Sequence, residues 1–177
     1  SGCTFVGNSA GAGLTTASSS VFIGTSAGLN SNGSSTVAIG QLAGEKAGNT
    51  STFVGNLAGR YSAGNNNIGI GNEATKGDSG ASTGTNNIGI GPFALNVFTG
   101  ASFNVAIGTD ALIKATGGSD HIAIGYRALA NILTTDGSVA VGHEALYNFT
   151  GTAGVAVGEA ALKACTTGTS NVAVGSF

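Results

Sequence analysis

A short motif that ends in glycine recurs eleven times in this chain of 177 residues, and it restricts the possible folds more than any other feature. Successive motif glycines are almost evenly spaced, and only the step from Gly71 to Gly91 is clearly longer than the others. The residue before each glycine is Val or Ile, and the residue three before it is Val, Ile or Thr. The residue three after it is Ala in all ten repeats that continue that far. The motif glycines are Gly7, Gly24, Gly40, Gly55, Gly71, Gly91, Gly108, Gly125, Gly142, Gly158 and Gly175.

Each motif predicts a short β-strand that ends in a bend. The β-branched residues alternate with period two, so they lie on one side of an extended chain, and such residues suit a pleated surface. The glycine allows a positive φ or a close backbone approach. A repeat of about 17 residues is too short for a propeller blade or a helical hairpin. We therefore expect an all-β solenoid with one coil per repeat, eleven coils stacked about 4.8 Å apart, in a single domain over residues 1–177.

Two positions of the repeat exchange large and small side chains. The position two before the glycine holds Phe in early repeats, such as Phe53, where the position four after the glycine is Gly59. In later repeats the same two positions hold Ala and Leu, as in Ala106 and Leu112. Close-packed interiors respond to volume in this way, so we expect the two positions to fill one shared space.

Both faces of the predicted strands are apolar or small, which is typical of strands that are buried on both sides. A single coil of this length has room for one thin core only, so the second face needs another cover, most simply a second copy of the chain. The sequence begins and ends within a motif. We therefore expect it to be a segment of a longer fibre chain.

The tracts NVAIG at Asn104–Gly108 and NVAVG at Asn171–Gly175 resemble the head repeats of trimeric autotransporter adhesins of the YadA type. The longer tract STFVGNLAG at Ser51–Gly59 is similar to repeats of phage tail fibres. The resemblance implies a left-handed parallel β-roll, a homotrimer about one axis, and attachment to a host-surface glycan or protein receptor. It also implies an extracellular location, on a bacterial cell surface or a virion tail fibre. The present repeats are longer than those of adhesin heads, so we expect an enlarged turn.

The composition gives little support to several other functions. Only 8% of the residues are charged and the net charge is -2, so neither nucleic acid nor anionic lipid is an expected partner. No apolar run approaches the roughly 20 residues that a membrane span needs. The glycine-rich pattern of calcium-binding β-rolls is missing, and the acidic residues are scattered, so we expect no metal and no cofactor.

Catalysis is not indicated either. His121 and His143 are the only histidines, and we expect both at the surface. His143 precedes Glu144, but adjacent residues of a strand point to opposite faces, so they do not form a direct pair. We expect Cys165 to pack as a small apolar residue, because Phe and Ile hold its place in nearby repeats. Cys3 lies some nine coils away, which rules out a disulfide between them in a solenoid.

Two sets of residues are candidates for binding, with ordinary turn residues as the alternative for each. The longest polar segment between motifs, residues 72–87, supplies a lysine and an aspartate, and the three tyrosines offer the aromatic surfaces that sugars favour. The candidates are Tyr61, Lys76, Asp78, Tyr126 and Tyr147. Besides a fibre segment, two functions stay open: a carbohydrate-binding module that acts through the coil loops, and the non-catalytic part of a polysaccharide-degrading tailspike.

One charged position tests the register of the coils. Asp110, Arg127 and Glu144 each stand two residues after a motif glycine in three successive repeats. Equivalent positions of neighbouring coils stack about 4.8 Å apart, close enough for side chains to meet. The register of one coil per motif therefore predicts Arg127 within salt-bridge reach of Asp110 or Glu144, whereas three independent solvated charges are the alternative.

Overall fold

The computed structural model describes residues 2–80 and 82–176; Ser1, Ala81 and Phe177 lie outside the described residues. Within the described residues, eleven parallel strands pair in sequence order to form one sheet. This arrangement is a parallel β-solenoid in which each turn carries the chain from one strand to the next, and all of the predicted strands are confirmed. The strands are β1 (Thr4–Val6), β2 (Val21–Ile23), β3 (Val37–Ile39), β4 (Thr52–Val54), β5 (Ile68–Ile70), β6 (Ile88–Ile90), β7 (Val105–Ile107), β8 (Ile122–Ile124), β9 (Val139–Val141), β10 (Val155–Val157) and β11 (Val172–Val174).

In this register each residue of a motif pairs with the equivalent residue of the next coil. Between β7 and β8, for example, Val105 faces Ile122 and Ala106 faces Ala123. The longest step of the repeat, between β5 and β6, keeps this register, with Ile68 opposite Ile88. The additional residues of that coil are therefore accommodated outside the sheet.

The middle residue of each strand points into the solenoid. Phe22, Phe53 and Ala106 are fully buried in this position, while their β-branched neighbours in the same strands are only partly covered. The alanines three residues after the motif glycine are also internal, and Ala111 and Ala128 have no exposed surface. Alternation along the strand thus assigns the small or aromatic residue to the core and the Val and Ile residues to the opposite face.

The exchange of volume between two core positions is confirmed. A Cβ atom added to Gly28 would lie 2.5 Å from the Phe22 ring, so the ring occupies the space that a side chain would need. In the later coils Leu112 is fully buried instead, opposite the small Ala106. Where the strand residue is itself glycine, as at Gly69, the side chain of Thr75 reaches into the vacant space.

A file of polar side chains also runs inside the solenoid, four residues before the motif glycine in the eight successive repeats from Ser20 to Ser138. The backbone N–H of Asn104 donates to Oδ1 of Asn87 at 3.1 Å, and the N–H of His121 donates to Oδ1 of Asn104 at 2.9 Å. The N–H of Ser138 then donates to Nδ1 of His121 at 3.1 Å. The expectation that His121 lies at the surface is therefore wrong: the ring is fully buried because it accepts a backbone N–H of the next coil.

The two cysteines are free thiols. Cys165 is partly buried and packs against the apolar interior, as its place in the repeat predicts. The equivalent residues Phe98, Ile132 and Phe149 of earlier coils are completely buried. Cys165 is more accessible and lies in the last coil of the described residues.

Replacing Ala111 with Leu is expected to lower the free energy of unfolding by about 1–3 kcal/mol, because the added atoms overpack a fully buried site. Thermal unfolding followed by circular dichroism measures the effect. The control changes the partly exposed Ser119 to Asn, which keeps an oxygen that can accept the backbone N–H of Ser102, and this variant should unfold at a temperature much closer to that of the unaltered chain. Equal losses at the two positions would show that the alanine file is not a tight internal site.

Candidate binding surface

The position two residues after the motif glycine, which is charged at Asp110, Arg127 and Glu144, forms contacts between coils. The Nε of Arg127 lies 3.4 Å from Oδ2 of Asp110, so the predicted salt-bridge reach is confirmed. Glu144 pairs instead with Lys163 of the following coil, with Nζ 2.5 Å from Oε2. The hydrogen bond to Asp110 raises the pKa of Arg127, and the bond from Lys163 lowers the pKa of Glu144. Both pairs are partly exposed, so solvent screens them and they contribute little to the stability of the fold.

Two of the predicted binding residues, Tyr126 and Tyr147, lie close to Arg127. Tyr126 stacks on His143 of the next coil, with ring centroids 5.2 Å apart and an interplanar angle of 24°. The guanidinium carbon of Arg127 lies 5.0 Å from the centroid of the Tyr126 ring. Arg127 and Tyr147 also line a cavity of about 170 Å³ together with Asp110. This part of the surface therefore combines exposed aromatic rings with a cation.

His143 is the member of this group that the sequence analysis did not connect with the tyrosines. Tyr126 and His143 are both the residue directly after a motif glycine, in consecutive repeats. That shared position was a usable signal, because equivalent positions of adjacent coils stack. The sequence alone did not show that the two rings would lie face to face.

Tyr61 and Lys76 lie together in another part of the solenoid. The backbone N–H of Tyr61 donates to the carbonyl oxygen of Lys76 at 2.7 Å, which joins two adjacent coils. The guanidinium carbon of Arg60 lies 4.7 Å from the centroid of the Tyr61 ring, and Nζ of Lys46 lies 5.6 Å from the same centroid. Arg60 is in turn paired with Glu45 of the preceding coil, at 2.5 Å. The ring is thus covered by cationic side chains, at distances typical of cation–π contacts.

Lys76 and Asp78 each form a polar contact with a nearby residue of their own turn. The Nζ of Lys76 lies 2.6 Å from Oε2 of Glu73, and this bond lowers the pKa of the glutamic acid. Asp78 is exposed, and its Oδ1 accepts the backbone N–H of Ser79 at 2.6 Å. Residues 78–80 of the long coil are exposed and so lie away from the core.

The five predicted binding residues form two groups rather than one site. Tyr61 follows β4 and Tyr126 follows β8, four coils further along the rod. With coils about 4.8 Å apart, this separation is about 19 Å. A single small ligand cannot contact both groups, whereas an extended ligand along the rod can.

A polar groove that the sequence analysis did not identify lies next to the first group. It has a volume of about 360 Å³ and is formed by residues of consecutive coils, with Lys46 as its only charged lining residue. Its lining residues are Asn30, Asn32, Gly33, Lys46, Ala47, Gly48, Asn49, Ala63 and Asn65. No motif marks this groove: Asn49 and Asn65 share the position six residues before a motif glycine, but Lys46 comes from another position of the repeat.

Residues 2–80 and 82–176 contain no group of three or more His, Cys, Asp or Glu side chains that could hold a metal ion. In the same ranges no helix has the length and apolarity needed to cross a membrane. Comparisons of the chain with protein-family models, with curated proteins and with solved structures found no match.

Proposed function

We propose that this chain is a structural and adhesive segment of a trimeric fibre that attaches a bacterial cell or a virion to a host or partner surface. In this proposal three left-handed coiled chains lie about one axis, outside the cell, and the segment carries no catalytic group. The exposed face of the sheet supports the trimer. The resemblance to adhesin heads and tail fibres supports the number of chains, the handedness and the role in attachment.

The observation that carries the proposal is a continuous Val and Ile surface along the whole sheet. The first and third residues of every strand lie on this face, and all of them are Val or Ile except Thr4 and Thr52. Ile70 is 41% exposed and Ile122 is 40% exposed, although both lie in the middle of the sheet. Parallel sheets are normally covered on both faces, and contiguous apolar surface usually marks an interface.

A second copy of this chain fits this surface better than an unrelated partner does. The face repeats every coil, about 4.8 Å apart, so a partner with the same spacing can interdigitate along the full rod of about 50 Å. It carries no charged side chain that would direct a polar partner to it. The face is also only two side chains wide, and three such narrow faces about one axis enclose an apolar core.

Self-association is tested with the double substitution of Ile107 and Ile124 by Lys. Static light scattering of the unaltered chain is expected to give about three times the chain mass of 16.9 kDa. Two lysines in each chain would introduce unpaired charges into the apolar interface, and burial of such charges is strongly unfavourable. We therefore expect the variant to scatter as a monomer at the same concentration.

Leu133, which is 47% exposed and lies outside the sheet, provides the control. Its substitution by Lys adds a positive charge to the surface but leaves the Val and Ile face intact, so the mass should not change. An unaltered chain that is monomeric, folded and stable to heating would refute the proposed trimer.

A carbohydrate-binding role of the coil surface is the second candidate function. The stacked rings of Tyr126 and His143 favour it, since their exposed faces lie beside a cationic side chain. This role is compatible with a fibre, because neither ring belongs to the sheet. Titration of the chain with a panel of oligosaccharides, followed by tyrosine fluorescence, distinguishes a binding fibre from one that serves only as a spacer.

A further inference from the structure

The groove beside Lys46 presents hydrogen-bond donors in fixed orientations. Oδ1 of Asn49 accepts the backbone N–H of Ser34 at 2.8 Å, and Oδ1 of Asn65 accepts the backbone N–H of Asn49 at 2.8 Å. Only the oxygen of an amide can accept these bonds, so the position of each Nδ2 group is determined as well. Within the described residues neither Nδ2 group has a protein partner, and both side chains line the groove.

Lys46 gives the groove a positive charge that no neighbouring carboxylate neutralises. The lysine forms no ion pair within the described residues, and its Nζ lies over the Tyr61 ring. The acidic residue next to it, Glu45, is already bound to Arg60 at 2.5 Å. The backbone N–H of Lys46 donates to the carbonyl oxygen of Arg60 at 2.9 Å, which fixes its main chain between adjacent coils.

We infer that this groove binds an acidic oligosaccharide, with an anionic group on Lys46 and hydroxyl or ring oxygens on the amide groups of Asn49 and Asn65. Carbohydrates offer closely spaced oxygen acceptors, and the groove offers donors at the spacing of successive coils, about 4.8 Å. A nucleic acid would require a wider basic surface than one lysine provides. A peptide would require apolar pockets for its side chains, whereas amide groups and glycines dominate this lining.

The inference rests on the proposed role in attachment, and it identifies the class of receptor. None of the groove residues belongs to the Val and Ile face, so saccharide binding and self-association use different parts of each coil. The two proposals can therefore fail independently. A trimer that binds no saccharide refutes only the inference, and a monomer that binds one refutes only the trimer.

Isothermal titration of the whole chain with hexagalacturonate, which carries a carboxylate on each sugar, tests the inference, and a heparin hexasaccharide tests sulfate groups in parallel. We expect saturable binding of at least one of the two, and the methyl ester of hexagalacturonate should bind at least tenfold more weakly than the acid. The two arms show whether carboxylate or sulfate is the preferred anion. Absence of saturable binding of both probes at millimolar concentration overturns the inference.

Three variants locate the site. Lys46→Gln removes the charge, and Asn49→Asp or Asn65→Asp keeps the Oδ acceptor that the backbone needs but replaces the Nδ2 donor with a repelling oxygen. Each is expected to weaken binding at least tenfold while the mass and unfolding temperature stay unchanged. Lys163→Gln removes an exposed lysine of a distant coil that lines neither this groove nor the cavity at Arg127, and it should change the affinity less than twofold. Unaltered affinity in Lys46→Gln and both aspartate variants would also overturn the inference.

Discussion

Gly108→Ala is expected to lower the free energy of unfolding by about 2–6 kcal/mol, although it adds a single methyl group. Gly108 has a φ of 127°, a conformation that residues with a side chain rarely adopt. A Cβ atom at this position would lie 2.6 Å from the carbonyl oxygen of Gly125, in the backbone of the next coil. Strain and overpacking each contribute about 1–3 kcal/mol, and backbone atoms of a stacked coil cannot move aside individually.

Gly100→Ala is the matched control for this prediction. An added Cβ would meet no atom within 4 Å, and the φ of Gly100 lies outside the positive region. This alanine is expected to leave stability unchanged or to raise it by up to about 1 kcal/mol, because it restricts the unfolded chain. Thermal unfolding of both variants under the same conditions gives the comparison. Similar midpoints for the two would mean that the motif glycines do not mediate close contact between coils.

Most of the fold could be predicted because every coil of a solenoid repeats the same local structure. Once the glycine, the flanking Val or Ile and the alanine three residues later are aligned, the neighbour of every strand is known from the sequence. The exchange between Phe53 with Gly59 and Ala106 with Leu112 likewise follows from volume alone. These features depend on how side chains fit within one coil and against the next. The sizes of the side chains at each repeat position indicate this fit directly.

The polar interior could not be predicted in the same way. Asn87, Asn104 and His121 occupy one position of the repeat, but their burial depends on backbone N–H groups that lack a partner within the sheet. A periodic pattern of polar residues does not show whether they face water or such a group. The groove at Lys46 was missed for a related reason. Asn49 and Asn65 share one position of the repeat, six residues before a motif glycine, but the directions of their amide groups depend on hydrogen bonds between coils.

Mild acid is expected to destabilise the fold through His121. Its Nδ1 accepts the N–H of Ser138 at 3.1 Å, and its Nε2 lies 2.5 Å from the carbonyl oxygen of Thr135. Only the neutral ring with the proton on Nε2 satisfies both partners, since a second proton on Nδ1 would face another N–H. Burial lowers the pKa of His121 below its usual 6.5, although the nearby carboxylates of Asp136 and Asp120 act in the opposite direction.

The pH range of this effect follows from the direction of the shift. The unfolded chain takes up a proton on this histidine near pH 6.5, whereas the folded chain takes it up only at a lower pH. Below pH 6.5 the unfolded state therefore binds more protons, and stability falls by up to about 1.4 kcal/mol per pH unit until the folded pKa is reached. The pKa values of Glu73 and Glu144 are lowered from 4.5, so these two groups reduce stability only in more acidic solution, as the pH falls below that value.

Unfolding midpoints measured between pH 8 and pH 5 test this prediction in three variants. Asn104 shows that an amide fits the file, because its Oδ1 accepts the N–H of the next coil and its Nδ2 donates to the carbonyl oxygen of Gly118 at 3.1 Å. His121→Asn should therefore remain folded and lose the pH dependence, while His121→Ala should lose about 1–3 kcal/mol at every pH because the N–H of Ser138 is left without an acceptor. His143→Asn changes the exposed histidine and should keep the full dependence. If His121→Asn retained the slope of the unaltered chain, the acid sensitivity would have to come from groups outside the polar file.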